Sequence, residues 1–243
     1  FSGCSSLTSI TIPENLTSIG YRAFAGCSSL TSITIPISIT NFGKEVFEEC
    51  SSLHTVCWNA KYCSSFASNY DYDKPFYHIA SQITSFTFGD SVEYIPSHLC
   101  CRMSSLTSIA IPNSVTSIGG YAFAYCSSLT SIAIPCNVTS VDETIFYGCT
   151  SLASVVWNAK TSIDYNKFSD TDFYYREISP FHFSKSTLKS ITFGDSVKYI
   201  PEYICAYLDS LKYVTIGNSV TSIGGYAFSG CSSLVRTNYT GSI

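Results

Sequence analysis

Positive charge is scarce in this chain. Lysine and arginine together number 13 in 243 residues, and nowhere do they form a run. A nucleic acid or an anionic membrane surface calls for a basic patch, so neither is expected as the main partner. Long apolar runs are missing as well. No stretch approaches the roughly 18 residues of a membrane-crossing helix, so no membrane insertion is expected from this segment. A basic region followed by an apolar one, the mark of a secretory leader, is also lacking. Histidine is limited to His54, His78, His98 and His182, and none has a motif neighbour that would make it the base for a serine or cysteine nucleophile. The G-x-x-x-x-G-K-[ST], H-E-x-x-H and calcium-loop patterns are absent. Tryptophan occurs only at Trp58 and Trp157, each time inside the tetrapeptide WNAK.

Hydrophobic residues, by contrast, make up 45% of the chain against 12% charged, with a formal net charge of −4. A core is easy to bury at this length, and solubility has to come largely from serine, threonine and asparagine. Self-comparison shows how that core is organised. Aligned on the leucine of "SSL", one frame recurs at Leu7, Leu30, Leu53, Ile83, Leu106, Leu129, Leu152, Leu188, Leu211 and Leu234. The spacing is 23 residues, except for 30 between Leu53 and Ile83 and 36 between Leu152 and Leu188. Apolar positions are fixed within the unit: Leu7, Ile10, Ile12, Leu16, Ile19, Ala23 and Phe24 in the first, and Leu106, Ile109, Ile111, Val115, Ile118, Ala122 and Phe123 in the fifth. The chain opens partway through a repeat with "FSGC" and stops early in another, and so reads as a segment of something longer.

The alternation in "TSITI", rich in β-branched residues, predicts a short strand with one buried face. Pro13, Pro36, Pro112 and Pro135 follow it, and proline cannot donate to a ladder. "VTSI" predicts a second extended piece, and "GGYAF" a tight turn running into a helical or 3₁₀ turn. One unit cannot bury its own apolar face, so copies must stack and share a core. Equivalent strands then pair in parallel about 4.8 Å apart, giving a solenoid about 45–50 Å long. A β-propeller needs blades of roughly 40–45 residues, too long for this unit.

The pattern CSSLTSITIPxxxTSIGxxAFxG, at Cys4–Gly26 and closely matched at Cys126–Gly148, resembles the BspA-like leucine-rich repeat. It covers essentially the whole chain apart from the two longer spacings. The resemblance implies a β-rich leucine-rich repeat solenoid of the α/β horseshoe type, with a parallel sheet on its inner face and short extended and 3₁₀ or helical turns on the convex side. Residues 1–243 form a single domain of about ten repeats with insertions near 62–80 and 161–186. Members are typically cell-surface or secreted proteins that adhere to or bind other macromolecules. The repeat brings no catalytic, cofactor-binding or metal-binding residue with it.

Six of the twelve cysteines, Cys4, Cys27, Cys50, Cys126, Cys149 and Cys231, sit three residues before the frame leucine. Elsewhere Ala80, Met103, Lys185 and Leu208 take that place, so the position wants a buried hydrophobe, and free cysteine behaves as one. A ladder of buried thiols is the first reading, with bridges or metal as alternatives. Cys100 and Cys205 fall in the slot held by Phe24, Phe47, Phe123, Phe146 and Phe228, hence in the core. Cys57 and Cys63 flank an irregular loop and form the one pair worth testing as a disulfide.

Few polar residues stand out. The pairs Glu48/Glu49 and Asp142/Glu143 are expected as solvated charges, and Asp90 and Asp195, in the repeated "FGDSV", as turn formers. Sequons occur at Asn15, Asn137 and Asn238, a chance outcome in a chain this rich in serine and threonine. The outward strand positions, two and four after the frame leucine, form a carpet of serine, threonine and alanine. Only Tyr213 and Arg236 break it with side chains of the kind that anchor partners.

The insertions are different in character. Four units form a super-repeat, and both copies carry WNAK, a variable segment, "PF" at Pro75–Phe76 and Pro180–Phe181, then "TFGDSV" and "YIP". The variable segments are aromatic and acidic, and loops on a rigid scaffold often carry function. Tyr70, Asp71, Tyr72, Asp73 and Tyr77 in the first, and Phe173, Tyr174 and Tyr175 in the second, are the candidate partner-binding residues, with Tyr213 and Arg236. Rings beside carboxylates can stack on a sugar or anchor a protein; the alternative is that they pack the insertion onto the solenoid. Trp58 and Trp157 occupy the slot of Ile12 and Ile35 and are predicted to point inward, at the rung where the chain leaves the solenoid. The expected function is a monomeric, non-catalytic binding or adhesion module for a protein or glycan. A structural spacer is the alternative, and a hydrolase a more distant one.

Overall fold

The structure, a computed structural model, describes residues 1–63, 74–161 and 179–239. Its strands are β1 (Ser18–Ile19), β2 (Ser32–Ile35), β3 (Asn41–Phe42), β4 (Thr55–Trp58), β5 (Ser85–Phe88), β6 (Tyr94–Ile95), β7 (Ser117–Ile118), β8 (Ser131–Ile134), β9 (Ser140–Val141), β10 (Ser154–Trp157), β11 (Ser190–Phe193), β12 (Tyr199–Ile200), β13 (Tyr213–Ile216), β14 (Ser222–Ile223) and β15 (Arg236–Tyr239). Every pairing is parallel. The four-residue strands come from "TSITI" and run β2-β4-β5 and β8-β10-β11-β13-β15, the two-residue strands from "VTSI". The register follows the frame through both irregular spacings: Thr55 pairs with Ser85 and Ser154 with Ser190. The protein is thus a parallel-strand solenoid with almost no helix. In the first unit only the two-residue strand β1 forms, and at Ser108 pairing shrinks to a single bridge with Ser131.

Burial alternates as expected. In β2 and β8 the first and third residues are exposed, the second and fourth buried. Behind the sheet runs one continuous core, with Leu30, Leu53, Ile83, Leu129, Leu152, Leu188 and Leu211 wholly inside it. Along the opposite wall phenylalanines stack rung upon rung. Phe24 and Phe47 lie 5.7 Å apart at 7°, and Phe123 and Phe146 6.1 Å apart at 18°. Cys100 and Cys205 hold the same slot and are fully buried.

"GGYAF" departs from the predicted helical turn. The repeating units close instead with consecutive hydrogen-bonded turns in which two residues adopt the left-handed region. Tyr121, Tyr203 and Tyr226 have φ of 56°, 55° and 55°, and Tyr125 and Tyr207 have 57° and 59°. Such backbone costs a non-glycine residue about 1 kcal/mol or more. The return is complete use of the N–H groups. Tyr203, Cys205 and Tyr207 donate to Gly225, Ala227 and Ser229 on the next rung at 3.2, 2.9 and 2.7 Å, while Ala206 donates back to Tyr203 within the turn. The 3₁₀ segments lie elsewhere, at Tyr77–Gln82 and His182–Ser184, where the chain resumes after each insertion.

None of the twelve cysteines forms a disulfide, so Cys57 and Cys63 are not bridged. Cys57 lies half-exposed on the sheet with its Sγ 3.4 Å from Asn59 Oδ1, while Cys63 is buried. Cys27, Cys50, Cys126 and Cys149 form the expected buried thiol positions; Cys4 and Cys231, near the two ends, are exposed and half-buried. The thiols do more than fill space. Cys50 Sγ donates to the carbonyl oxygen of Phe24 at 3.0 Å, Cys126 to that of Cys100 at 3.2 Å, and Cys149 to that of Phe123 at 3.1 Å. Each reaches back to the wall slot of the preceding rung and gives a second hydrogen bond to a carbonyl that already accepts a backbone N–H.

Candidate functional site

Both insertions are held at the base by an aromatic clamp. Trp58 and Trp157 are fully buried, as their slot predicts. Phe76 and Phe181, each following a buried proline, return the chain to the phenylalanine wall: Phe47 stacks on Phe76 at 5.2 Å and Phe146 on Phe181 at 5.8 Å. Exit and return then touch. Trp58 meets Phe76 edge-on at 6.4 Å, and Trp157 meets Phe181 at 5.9 Å and 83°. Polar groups tie down the return. Gln82 Nε2 donates to the carbonyls of Cys50 and Leu53 at 2.7 and 2.9 Å, and Ser184 Oγ to that of Cys149 at 2.7 Å.

Of the sequence-predicted site residues, Tyr70, Asp71, Tyr72, Asp73, Phe173, Tyr174 and Tyr175 lie outside the described residues. Tyr213 and Arg236 are both exposed and are register partners on β13 and β15. The carpet on the sheet is as expected, half-buried or exposed throughout. Tyr77 is half-buried, and its surroundings reveal what the sequence reading missed.

From Tyr77 a seam of side chains crosses the turn side of the solenoid to the second insertion. The guanidinium carbon of Arg102 stands 5.6 Å from the Tyr77 ring and 5.1 Å from that of Tyr125. Tyr125 meets Tyr147 at 5.3 Å, and Tyr147 meets Phe183 at 4.3 Å. A branch leaves at Tyr147, through Tyr121 at 5.7 Å to His98, whose ring stacks on Tyr121 at 5.0 Å and 5°. Tyr77 and Phe183 belong to the two return segments, so the seam joins the bases of both insertions across four rung spacings, about 19 Å. Between Tyr77 and Phe183, which lie in the two 3₁₀ segments, its members occupy left-handed turn positions or adjoin one, which is why their side chains stand together. A Cβ on Gly148 would approach the Tyr125 ring to 2.6 Å; the ring therefore lies flat on that glycine. The pattern could have been found by aligning residues 18 and 19 after each frame leucine, where Arg102, Tyr125 and Tyr147 line up.

Charge along this side is local. Arg22 is paired with Glu48 and lies 3.8 Å from Glu45, so Glu48 is not simply solvated. Lys61 of the first WNAK reaches Glu93 at 2.9 Å, and Tyr62 donates to the same carboxylate; these hydrogen bonds hold Glu93 below the ordinary glutamate range. Asp142 accepts from the N–H of Thr144 at 2.9 Å. Asp195 accepts from the N–H of Asn218 on the next rung at 2.9 Å, rather than closing its own turn. Burial, and then Lys185, lower the pKa of His182. Burial pushes Cys50 up to about 11 and Cys149 to about 12, with Cys100, Cys126 and Cys205 also raised well above the ordinary thiol value; such thiols are poor nucleophiles. Among the described residues no group of His, Cys, Asp and Glu could hold a metal ion, and no helix is long and apolar enough to cross a membrane. What the seam offers is ring faces and edges, phenol hydroxyls and one guanidinium, the chemistry of recognition.

The family model for the BspA-type leucine-rich repeat region matches in six copies, over residues 1–70, 72–175 and 176–243. Among solved structures, a leucine-rich repeat protein from Bacteroides ovatus shares 25% identity at a TM-score of 0.57 over 97% of this chain and 61% of that one. A leucine-rich cell surface protein from Faecalibacterium prausnitzii shares 20% identity at a TM-score of 0.40, covering 97% of this chain and 86% of its own. The pneumococcal vaccine antigen PcpA shares 21% identity at a TM-score of 0.47, over 88% and 55%. The chain thus spans about three fifths of the Bacteroides ovatus protein. No curated protein matches it in sequence.

Proposed function

The chain belongs to the BspA-type leucine-rich repeat family, and from that premise we propose that it is a non-catalytic binding module of a secreted or cell-surface protein, acting as a monomer on a protein or glycan partner. The observation that carries this reading is the seam from Tyr77 to Phe183, which joins the return segments of two insertions far apart in sequence. Side chains of the segments between WNAK and "PF" would complete the surface. Tyr70, Asp71, Tyr72 and Asp73 of the first insertion and Phe173, Tyr174 and Tyr175 of the second are the further candidate partner-binding residues, with Tyr213 and Arg236 as a separate patch on the sheet. The location outside the cell follows the habit of the family.

The test is to probe a glycan array and an array of secreted and extracellular proteins with the purified chain. A ligand is expected whose binding falls at least tenfold on Tyr147→Ala, and again on replacing Tyr70, Tyr72, Tyr174 and Tyr175 by alanine. A ligand whose binding survives both sets would remove the seam as the recognition surface. The plain face of the sheet favours a second reading, a spacer between other domains. That reading expects no ligand on either array and a partner domain elsewhere in the full protein.

A further inference from the structure

The sheet is interrupted, and its interruptions follow one position of the repeat, six residues after the frame leucine. Where asparagine or glycine stands there, its N–H donates to the preceding rung. Asn59 donates to Ile35, Gly89 to Trp58, Asn158 to Ile134, Gly194 to Trp157 and Gly217 to Phe193, at 2.7–3.1 Å. Each of these rungs is paired with the one before it along all four residues of the strand. Where the residue is Pro36, Pro112 or Pro135, the ladder opens. The strand before Pro36, β2, has no partner on the preceding rung, and β8, before Pro135, keeps the single bridge to Ser108. Before Pro112, no backbone hydrogen bond among the described residues joins residues 107–111 to β5. Proline has no N–H to donate, and its ring stands where the next ladder bond would form. In a strand this short the lost bond is a large share of the whole.

Two of these open joins adjoin in mid-chain, on either side of the rung of Leu106. They divide the sheet into β2-β4-β5 and β8-β10-β11-β13-β15, and each part holds one insertion. The opening reaches the core. Phe88 and Ile111, the last inward residues on the two sides of the first open join, are half-buried, whereas Phe193, the counterpart of Phe88 in the second copy, is fully buried. The turn side stays closed at the same place. His98, Cys100 and Arg102 donate their N–H groups to Gly120, Ala122 and Ala124 at 3.0, 2.9 and 2.7 Å, and β6-β7-β9 pair without a break. A stack bonded along one wall and open along the other bends about the bonded wall.

We propose that the rung of Leu106, released by Pro112 and Pro135, is a hinge between two stiff blocks of the solenoid, pivoting on the turn wall and opening the face of the sheet. The seam crosses this pivot where Arg102 stands over Tyr125 and His98 stacks on Tyr121. A partner that grips both insertions therefore selects the angle between the blocks. That consequence rests on the insertions being the recognition surface; the hinge itself does not, and its test needs no ligand.

Residual dipolar couplings of the isotope-labelled chain, fitted to each block separately, measure the hinge directly. The two blocks are expected to need alignment tensors of different magnitude. The amides of Ser108 and Ala110 should also exchange with solvent roughly tenfold or more faster than those of Ser190 and Thr192, the same positions at a closed join. Replacing both prolines, Pro112→Gly with Pro135→Gly, gives these rungs the N–H that Gly194 and Gly217 use in succession. One tensor should then describe both blocks, and exchange at Ser108 and Ala110 should slow. A single tensor for the unaltered chain would overturn the proposal whatever the exchange rates, and so would a difference in tensors that the double variant leaves unchanged.

Discussion

The side-chain oxygen of Asn59 lies against the backbone of Gly89 on the following rung, and that of Asn158 lies in the same way against Gly194. A Cβ on either glycine would collide with the asparagine oxygen. This contact explains a coincidence in the sequence: "FGD" replaces the usual isoleucine-proline in the unit after each WNAK and nowhere else in that form. The asparagine that takes the place of proline at the exit needs a neighbour with no side chain, so each WNAK and the FGD of the next unit form one structural unit across rungs.

Gly89→Ala is therefore expected to destabilise the fold by about 1–3 kcal/mol, the usual cost of overpacking a closed site. Adding Asn59→Ala should restore part of the loss, because it removes the atom in the way. Urea unfolding of the two single variants and the double variant measures the coupling, and additive losses would show that the contact does not matter.

The clamp predicts a second difference. Trp58→Ala, or Trp157→Ala, empties a fully buried slot against Phe76 or Phe181 and should cost about 3–5 kcal/mol. Tyr213→Ala, on the exposed sheet face, should change stability by no more than about 0.5 kcal/mol. Thermal unfolding of the three variants decides this. A mild Trp58→Ala would mean that the insertion base is not held by the core.

The raised thiols predict a loss of stability in alkali. A group with a higher pKa in the folded state contributes stability below its unfolded value, and that contribution fades as pH rises toward the folded one. Unfolded thiols ionise near 9, whereas Cys50 and Cys149 ionise in the fold at about 11 and about 12. Stability should accordingly fall from about pH 9 upward, with a slope that lessens when either residue is replaced by alanine. In the native state at pH 8 a thiol reagent should modify Cys4 within minutes and leave Cys100, Cys126 and Cys205 intact until the chain unfolds.

At the acid end the relevant group is Glu93. Its carboxyl is held below the usual 4.5 by hydrogen bonds from Lys61 and Tyr62, so its contribution is present above that value and lost as pH falls through the folded one. Carbon-detected titration should find Glu93 ionising below the ordinary glutamate range and moving up toward it in Lys61→Met. An unchanged midpoint in that variant would show that the pair does not form in solution.

The repeat frame, the inward tryptophans, the core cysteines and the empty face of the sheet were all legible in the sequence, because each depends on periods that a single chain displays. Other features depend on which turn residues meet one rung later. Arg102 and Tyr125 are 23 residues apart and bring no signature of their own; only the stacked turns place a guanidinium over the ring. The left-handed turns at Tyr121 and Tyr203 were hidden for another reason. Local preference reserves that backbone for glycine, and the hydrogen bonds to the next rung that outweigh the cost do not exist in an isolated unit. "PF" was visible as a repeated pair, but its role emerges only when Phe76 and Phe181 are seen to continue the phenylalanine wall.

The two clamped segments differ in length by six residues, 36 against 30 between frame positions, yet the strands on either side stay paired residue for residue. The span between tryptophan and phenylalanine can therefore change length without shifting the ladder. Sequence there can drift, lengthen or be exchanged while the ladder keeps its register, so each clamp is a natural graft acceptor. A lineage under pressure to change what it recognises can vary these two segments without relearning how to fold.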